Sequence, residues 1–178
     1  MCAMVGAVVL AAGASSRFGS PKQRLLLGPV LQRVRKARSI DEIIVVVGAH
    51  EVDTDARVAR CTDWERGPGA SLRCGLAALP PGVEAAVVAL ADGPLLAPEA
   101  IERVVEAWRE GAGDVVAASY GGNRGHPVIL DRQIWARIPD EGARAFEPVL
   151  IPCDDLGAPG DVDVPEDLPG RVGGAGAE

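Results

Sequence analysis

The sequence predicts an α/β protein, a three-layer sandwich with helices on both faces of a mostly parallel sheet. Three observations carry this. Apolar strand-like runs alternate with helical patterns along the 178 residues. Apolar residues make up 48% of the chain but aromatic residues only 3%, so the core is built from Ala, Val and Leu. Such small residues suit strands covered by helices on both sides. Finally, the first strand-like run feeds a glycine-rich turn, and ligands of open α/β sheets bind outside the carboxyl ends of the strands.

The elements follow in order. Residues 5–10 form a continuous apolar run, read as the first buried strand. A helix over residues 30–38 places Leu31, Val34 and Ala37 on one face. Strands are expected at 43–47 and, shorter, at 57–61. A helix over 71–79 turns Leu72, Leu76 and Leu79 inward. Residues 85–90 form the next strand, and a helix over 98–109 opens with Pro98 and Glu99. Its inward face is Ile101, Val104, Val105 and Trp108. Strand-like runs recur at 114–119 and 149–152, and the glycine-rich stretch from Gly121 enters an extended segment. One domain is expected over residues 1–169, with a flexible Gly/Ala-rich tail over 170–178. One spacing fits poorly. Residues 48–56 are short for a parallel crossover, which usually contains a helix. The expectation drawn from it is that segments are missing from the chain.

Charge and cysteine usage exclude several classes. Eighteen basic against 25 acidic residues give a net charge of −7, with no basic run to bind nucleic acid. No apolar run is long enough to span a membrane, and no basic, cleavable leader precedes the first strand. A cytoplasmic location is expected. Cys2, Cys61, Cys74 and Cys153 show no Cys-x-x-Cys spacing, and His50 and His126 are far apart. Neither a zinc site nor a disulfide framework is expected, and the cysteines read as reduced, three of them core fillers.

The most informative stretch is Leu10-Ala11-Ala12-Gly13-Ala14-Ser15-Ser16-Arg17-Phe18-Gly19-Ser20-Pro21-Lys22. Small residues let the backbone approach a ligand, and successive N–H groups there cradle an anion. Arg17 adds a guanidinium fork and Lys22 a point charge, which together neutralise a polyphosphate. The spacing is that of neither a P-loop nor the Gly-x-Gly-x-x-Gly dinucleotide fingerprint. It resembles the signature of the MobA-like nucleotidyltransferases, Leu-Ala-Ala-Gly-x-Ser-x-Arg-x-Gly-x-x-Lys. The resemblance implies a Rossmann-like sheet of the nucleotide-diphospho-sugar transferase type. It also implies that Leu10, Ala11, Ala12, Gly13, Ser15, Arg17 and Lys22 bind a nucleoside triphosphate.

Further motifs extend the resemblance in the family's order. Asp92 follows the strand at 85–90. A carboxylate there can hold Mg²⁺ at the phosphates or cap the helix that Pro98 opens. Asp92, Pro94 and Leu95 match the family's Asp-x-Pro-Leu, whose Asp binds the metal. In Asp161-Val162-Asp163-Val164-Pro165-Glu166-Asp167-Leu168, alternation puts Asp161 and Asp163 on one strand face. Either can be a second metal ligand, and Asp163 can instead cap a helix. Gly69, Ser71, Leu72, Arg73, Gly75 and Leu76 match a family turn that contacts the base, which makes Gly69, Ser71 and Arg73 candidates. Ser71 and the free amides of a helix start can bind an anion, whereas Arg73 can equally be solvated. Gly125-His126-Pro127-Val128 matches the molybdenum cofactor cytidylyltransferase branch, where this region lines the acceptor pocket. Arg124 and His126 then meet the acceptor, although a lone histidine is more often structural.

The resemblance implies transfer of CMP from CTP to molybdenum cofactor with release of pyrophosphate, with Arg17, Lys22 and Asp92 as catalytic residues. A molybdoenzyme client is a further expected partner, while nucleic acid and membrane are not. Guanylyl transfer, transfer of another nucleotide to a different phosphorylated acceptor, and a non-catalytic delivery protein remain as alternatives. A Rossmann-type oxidoreductase is disfavoured by the missing dinucleotide fingerprint.

Overall fold

The computed structural model describes residues 2–13 and 23–160. Among these residues, seven strands make one sheet. The chain runs β1 (Met4–Ala11), α1 (Gln23–Lys36), β2 (Glu42–Val47), β3 (Arg57–Arg60), α2 (Pro68–Ala78), β4 (Val83–Leu90), α3 (Pro98–Arg109), β5 (Val115–Tyr120), β6 (Asn123–Asp131) and β7 (Val149–Pro152). The strand order is β3-β2-β1-β4-β6-β5-β7. Only β6 runs against its neighbours, pairing antiparallel with both β4 and β5. The sheet is therefore mostly parallel, as the alternating pattern predicts.

Strand alternation sends side chains to two cores. Val5, Ala7, Val9 and Ala11 of β1 pack with Ala85, Val87 and Ala89 of β4, under α1 and α3. Val8 of β1 and Ala86 and Val88 of β4 pack on the other face against Leu72 and Leu76 of α2. Both faces are buried, which is why these strands read as continuous apolar runs. The chain order reverses direction across the sheet between β1 and β4. In open α/β sheets such a switch point leaves a crevice at the carboxyl ends of the strands.

Two expectations needed correction. The first helix begins at Gln23, seven residues before the predicted start, and contains Pro29. Gly28 and Pro29 look like a break, yet both are exposed on the outer face. Leu26, Leu27, Val30, Leu31 and Val34 are all at most 3% exposed, and that buried stripe outweighs the backbone bond a proline removes. The second helix begins at Pro68 rather than Ser71, with the proline at the first turn, where its missing N–H costs nothing. Residues 48–56 join β2 to β3 in parallel without a helix. β3 is a four-residue edge strand, and the connection lays Val52 and Ala56 against the α1 face of the core.

The extended segment after Gly121 is β6, which forms a hairpin with β5. Gly121 and Gly122 have φ of 59° and 79°, the positive pair of a two-residue hairpin turn. The hairpin carries Arg124 and His126 back towards the carboxyl end of β4.

Candidate active site

Two adjoining cavities open at the carboxyl ends of β1 and β4. The first, about 390 Å³, lies between Leu10, Leu72, Val88, Leu90 and the turn at residues 141–144. The second, about 360 Å³, lies between Leu90, Gly93, Tyr120, Asn123 and Pro159. Leu90, Arg124, Gly125 and His126 line both and form the wall between them. Such a pair of compartments can hold two reactants side by side.

The predicted residues distribute unevenly around this pair. Leu10 lines the first cavity; Ala11 and Ala12 are buried behind it, and Gly13 is exposed at the strand's end. Ser15, Arg17 and Lys22 lie outside the described residues, as do Asp161 and Asp163. Asp92 stands two residues beyond β4, near enough for its charge to act on His126. It does not cap α3, whose cap is Ala97 with no side-chain hydrogen bond.

The α2 start differs from expectation. Pro68 and Leu72 line the first cavity, but Gly69, Ser71 and Arg73 do not. Because the helix begins three residues early, Ser71 sits one turn in and is only 4% exposed. The Gly69 N–H donates to the Asp140 carbonyl at 2.9 Å, so that helix amide already has its acceptor. Arg73 is not solvated: it donates to the Ile138 carbonyl at 2.8 Å and to Asp140 Oδ1 at 2.6 Å. Arg124 behaves alike, donating to the carbonyls of Phe146 at 2.8 Å and Ala143 at 2.9 Å. Both guanidinium groups hold the segment that walls the first cavity.

The sequence model of the MobA-like NTP transferase domain matches residues 7–146. The chain belongs to this family. A 2-C-methyl-D-erythritol 4-phosphate cytidylyltransferase of Streptomyces avermitilis is 37% identical over 136 residues, 65% of this chain and 54% of that protein. The chain thus spans about half the length of that curated relative. Among solved structures, Rv0371c from Mycobacterium tuberculosis is similar with a TM-score of 0.75 at 30% identity, covering 94% of this chain and 96% of that one. A structure of Rv0371c in complex with manganese matches with a TM-score of 0.67 at 26% identity, covering 93% and 92%. This chain therefore carries a MobA-like NTP transferase domain, on the mixed seven-stranded sheet described above. Among its described residues no helix is long and apolar enough to cross a membrane.

In this MobA-like chain the wall residue His126 is held neutral. Burial pushes its imidazole down from 6.5 to about 4; Arg124 adds to this and Asp92 opposes it. At neutral pH the imidazole can therefore offer hydrogen bonds but no charge. The Tyr120 hydroxyl donates to the His126 carbonyl at 2.7 Å and fixes that stretch of backbone. The depressed value has a consequence for stability. Between the unfolded and folded values the unfolded chain binds the extra proton, so stability falls as pH drops through that window. The loss by pH 4 is about 2–3 kcal/mol. Urea denaturation between pH 7 and pH 4.5 measures it. The His126→Asn variant is expected to lose less over that range, and an equal loss contradicts the assignment.

Several residues of this site escaped the sequence. Tyr120, Asp140 and the 141–144 turn follow no periodic pattern and match no motif used above. The signal that was present is Arg124 and Arg73 themselves: a half-buried arginine in an acidic protein needs acceptors, and here they are backbone carbonyls.

Proposed function

We propose that the chain transfers CMP from CTP to the phosphate of molybdenum cofactor and releases pyrophosphate. The single observation that carries the two-substrate reading is the pair of cavities sharing one wall of Arg124, Gly125 and His126 at the ends of β1 and β4. The nucleotide takes the cavity bounded by Leu10 and α2, directly after which the glycine-rich stretch leaves β1. The acceptor takes the cavity between β4 and the β5–β6 hairpin. The choice of CTP and of molybdenum cofactor rests on the motif resemblance, Gly125-His126-Pro127-Val128 above all.

No side chain has to act as nucleophile, because the acceptor phosphate brings its own oxygen. Catalysis is positioning and charge neutralisation. Arg17, Lys22 and the amides of the turn after β1 hold the β- and γ-phosphates that leave. Asp92 would hold a hard divalent cation, with Asp161 or Asp163 as the second ligand. An all-carboxylate donor set suits Mg²⁺. Among the described residues Asp92 is the one member of that set, and no group of three or more metal-binding side chains gathers there. The manganese bound by Rv0371c supports a divalent ion in this family. When bound, the cation neutralises phosphate charge in the reaction. His126, neutral and with its backbone carbonyl held by Tyr120, orients the acceptor by hydrogen bonding.

Pyrophosphate release from CTP and from GTP, each with molybdenum cofactor and Mg²⁺, tests this. Release with CTP and not GTP is expected; release with GTP alone overturns the nucleotide choice. Lys22→Ala is expected to cut turnover by about 10²-fold or more while leaving the folded state intact. Unchanged turnover in that variant removes Lys22 from the mechanism. The 37% identity to a methylerythritol phosphate cytidylyltransferase favours a second reading, with CTP retained and a polyol phosphate as acceptor. Release that needs 2-C-methyl-D-erythritol 4-phosphate in place of the cofactor would establish it.

A further inference from the structure

We infer that Asp140 is a positioning residue for the nucleotide, acting through the strap of residues 138–146 that walls the first cavity. The inference rests on the reading that CTP occupies that cavity. Glu141, Gly142, Ala143 and Arg144 face Leu10, Leu72, Val88 and Leu90 across it. The strap belongs to no strand, and its regular structure is the single 3₁₀ turn Gly142–Ala145. Something other than a sheet ladder or a long helix must therefore fix its place.

Side chains from two directions do so. On the α2 side Asp140 divides its carboxylate between two arginines. Arg73 donates to Oδ1 at 2.6 Å and Arg66 to Oδ2 at 3.2 Å. The second nitrogen of the Arg73 fork reaches the Ile138 carbonyl at 2.8 Å, so one planar group spans two residues of the strap. The Asp140 carbonyl accepts the N–H of Gly69, which docks the strap on the first turn of α2. On the β6 side Arg124 takes the carbonyls of Ala143 and Phe146. The two attachments bracket the four wall residues.

Asp140 lines neither cavity, so its effect on a ligand must pass through the strap. Its carboxylate is 40% exposed, and Arg66 is 58% exposed. Exposed pairs of this kind add little to global stability. What they set is local: the height of residues 141–144 over the nucleotide. Arg73 first, then Arg66, hold the Asp140 carboxyl below the usual range against its partial burial, so the clamp stays charged at neutral pH.

The test is calorimetric binding of CTP with Mg²⁺ and no acceptor, on wild type, Asp140→Asn, Arg73→Lys and the double variant, with thermal unfolding and amide exchange alongside. Each single variant is expected to weaken CTP binding about tenfold, and the double variant no more than the weaker single one, because both break one contact. Exchange at 141–144 rises in all three, while the unfolding midpoint moves by only about 2–4 °C. Wild-type binding with variants that match it overturns the inference alone. A purely stabilising role would lower the midpoint and leave the affinity of the folded protein intact, which also overturns it. Wild-type protein that binds neither CTP nor GTP overturns the functional reading and this inference with it.

Discussion

Asp92→Asn is expected to abolish most pyrophosphate release, by about 10²–10³-fold, in a protein that still folds and still binds CTP within a few-fold of wild type. The substitution keeps the size of the side chain and removes one formal charge. Asp92 stands past the end of β4 beside the wall of the two cavities, within electrostatic reach of His126. It does not cap α3, so its loss leaves that helix start unchanged. On the proposed reading a carboxylate placed there would hold the divalent cation, and an amide is a poorer ligand for a hard ion. Steady-state rates with saturating CTP and acceptor check the loss. A variant keeping about half the wild-type rate excludes Asp92 from the chemistry, since removing a charge from a reacting site costs far more.

Gly69→Ala has the largest expected effect on the folded state. A Cβ at this position would lie 1.7 Å from the Pro139 carbonyl oxygen and 2.9 Å from the Asp140 carbonyl carbon. These are backbone atoms, so they cannot rotate away. Either α2 or the strap must move, and the 2.9 Å bond from the Gly69 N–H to the Asp140 carbonyl breaks. Steric strain and a lost hydrogen bond together come to roughly 2–4 kcal/mol. Because the strap is one wall of the cavity proposed for the nucleotide, CTP binding is expected to fall as well. Urea denaturation and CTP titration on the purified variant measure both. An unchanged denaturation midpoint contradicts the close contact. Gly67 shows the same approach from the neighbouring residue: its φ is 136°, and a Cβ there would meet the Asp140 carbonyl at 2.5 Å. The resemblance implies a base contact for Gly69, whereas the structure gives the glycine another reason, the passage of the strap over the helix start.

The parts of the fold that are legible from sequence are those where one physical signal acts alone. β1, β2 and β4 are buried on both faces, so their apolar runs are unbroken and easy to see. α3 carries a proline, an early acid and a clean apolar stripe, and it spans the predicted residues. α1 reads short in the sequence because Gly28 and Pro29 are local breakers, and local rules do not see the five buried side chains that hold the helix through them. The short connection between β2 and β3 carries no helix and leads to a four-residue strand at the sheet edge.

The site divides along the same line. Leu10 and His126 stand out through motifs and do line the cavities. Gly69, Ser71 and Arg73 belong to a motif too, yet the structure brings none of them to either cavity. A motif shows that residue types recur together; it does not separate a residue that touches the ligand from one that holds its neighbour. Arg73 and Arg124 look like anion ligands in a sequence, whereas their donors go to the carbonyls of the strap. Asp140 gives no signal at all, because its partners Arg66 and Arg73 are 74 and 67 residues away in the chain.

The most direct test of the account is to follow the α-phosphorus of CTP. Purified protein is incubated with CTP labelled at that atom, molybdenum cofactor and Mg²⁺, and the label is traced by chromatography. The account predicts that the label appears in a cofactor–cytosine dinucleotide, one equivalent for each pyrophosphate released. Label that stays in CTP, or appears only as free CMP, contradicts it.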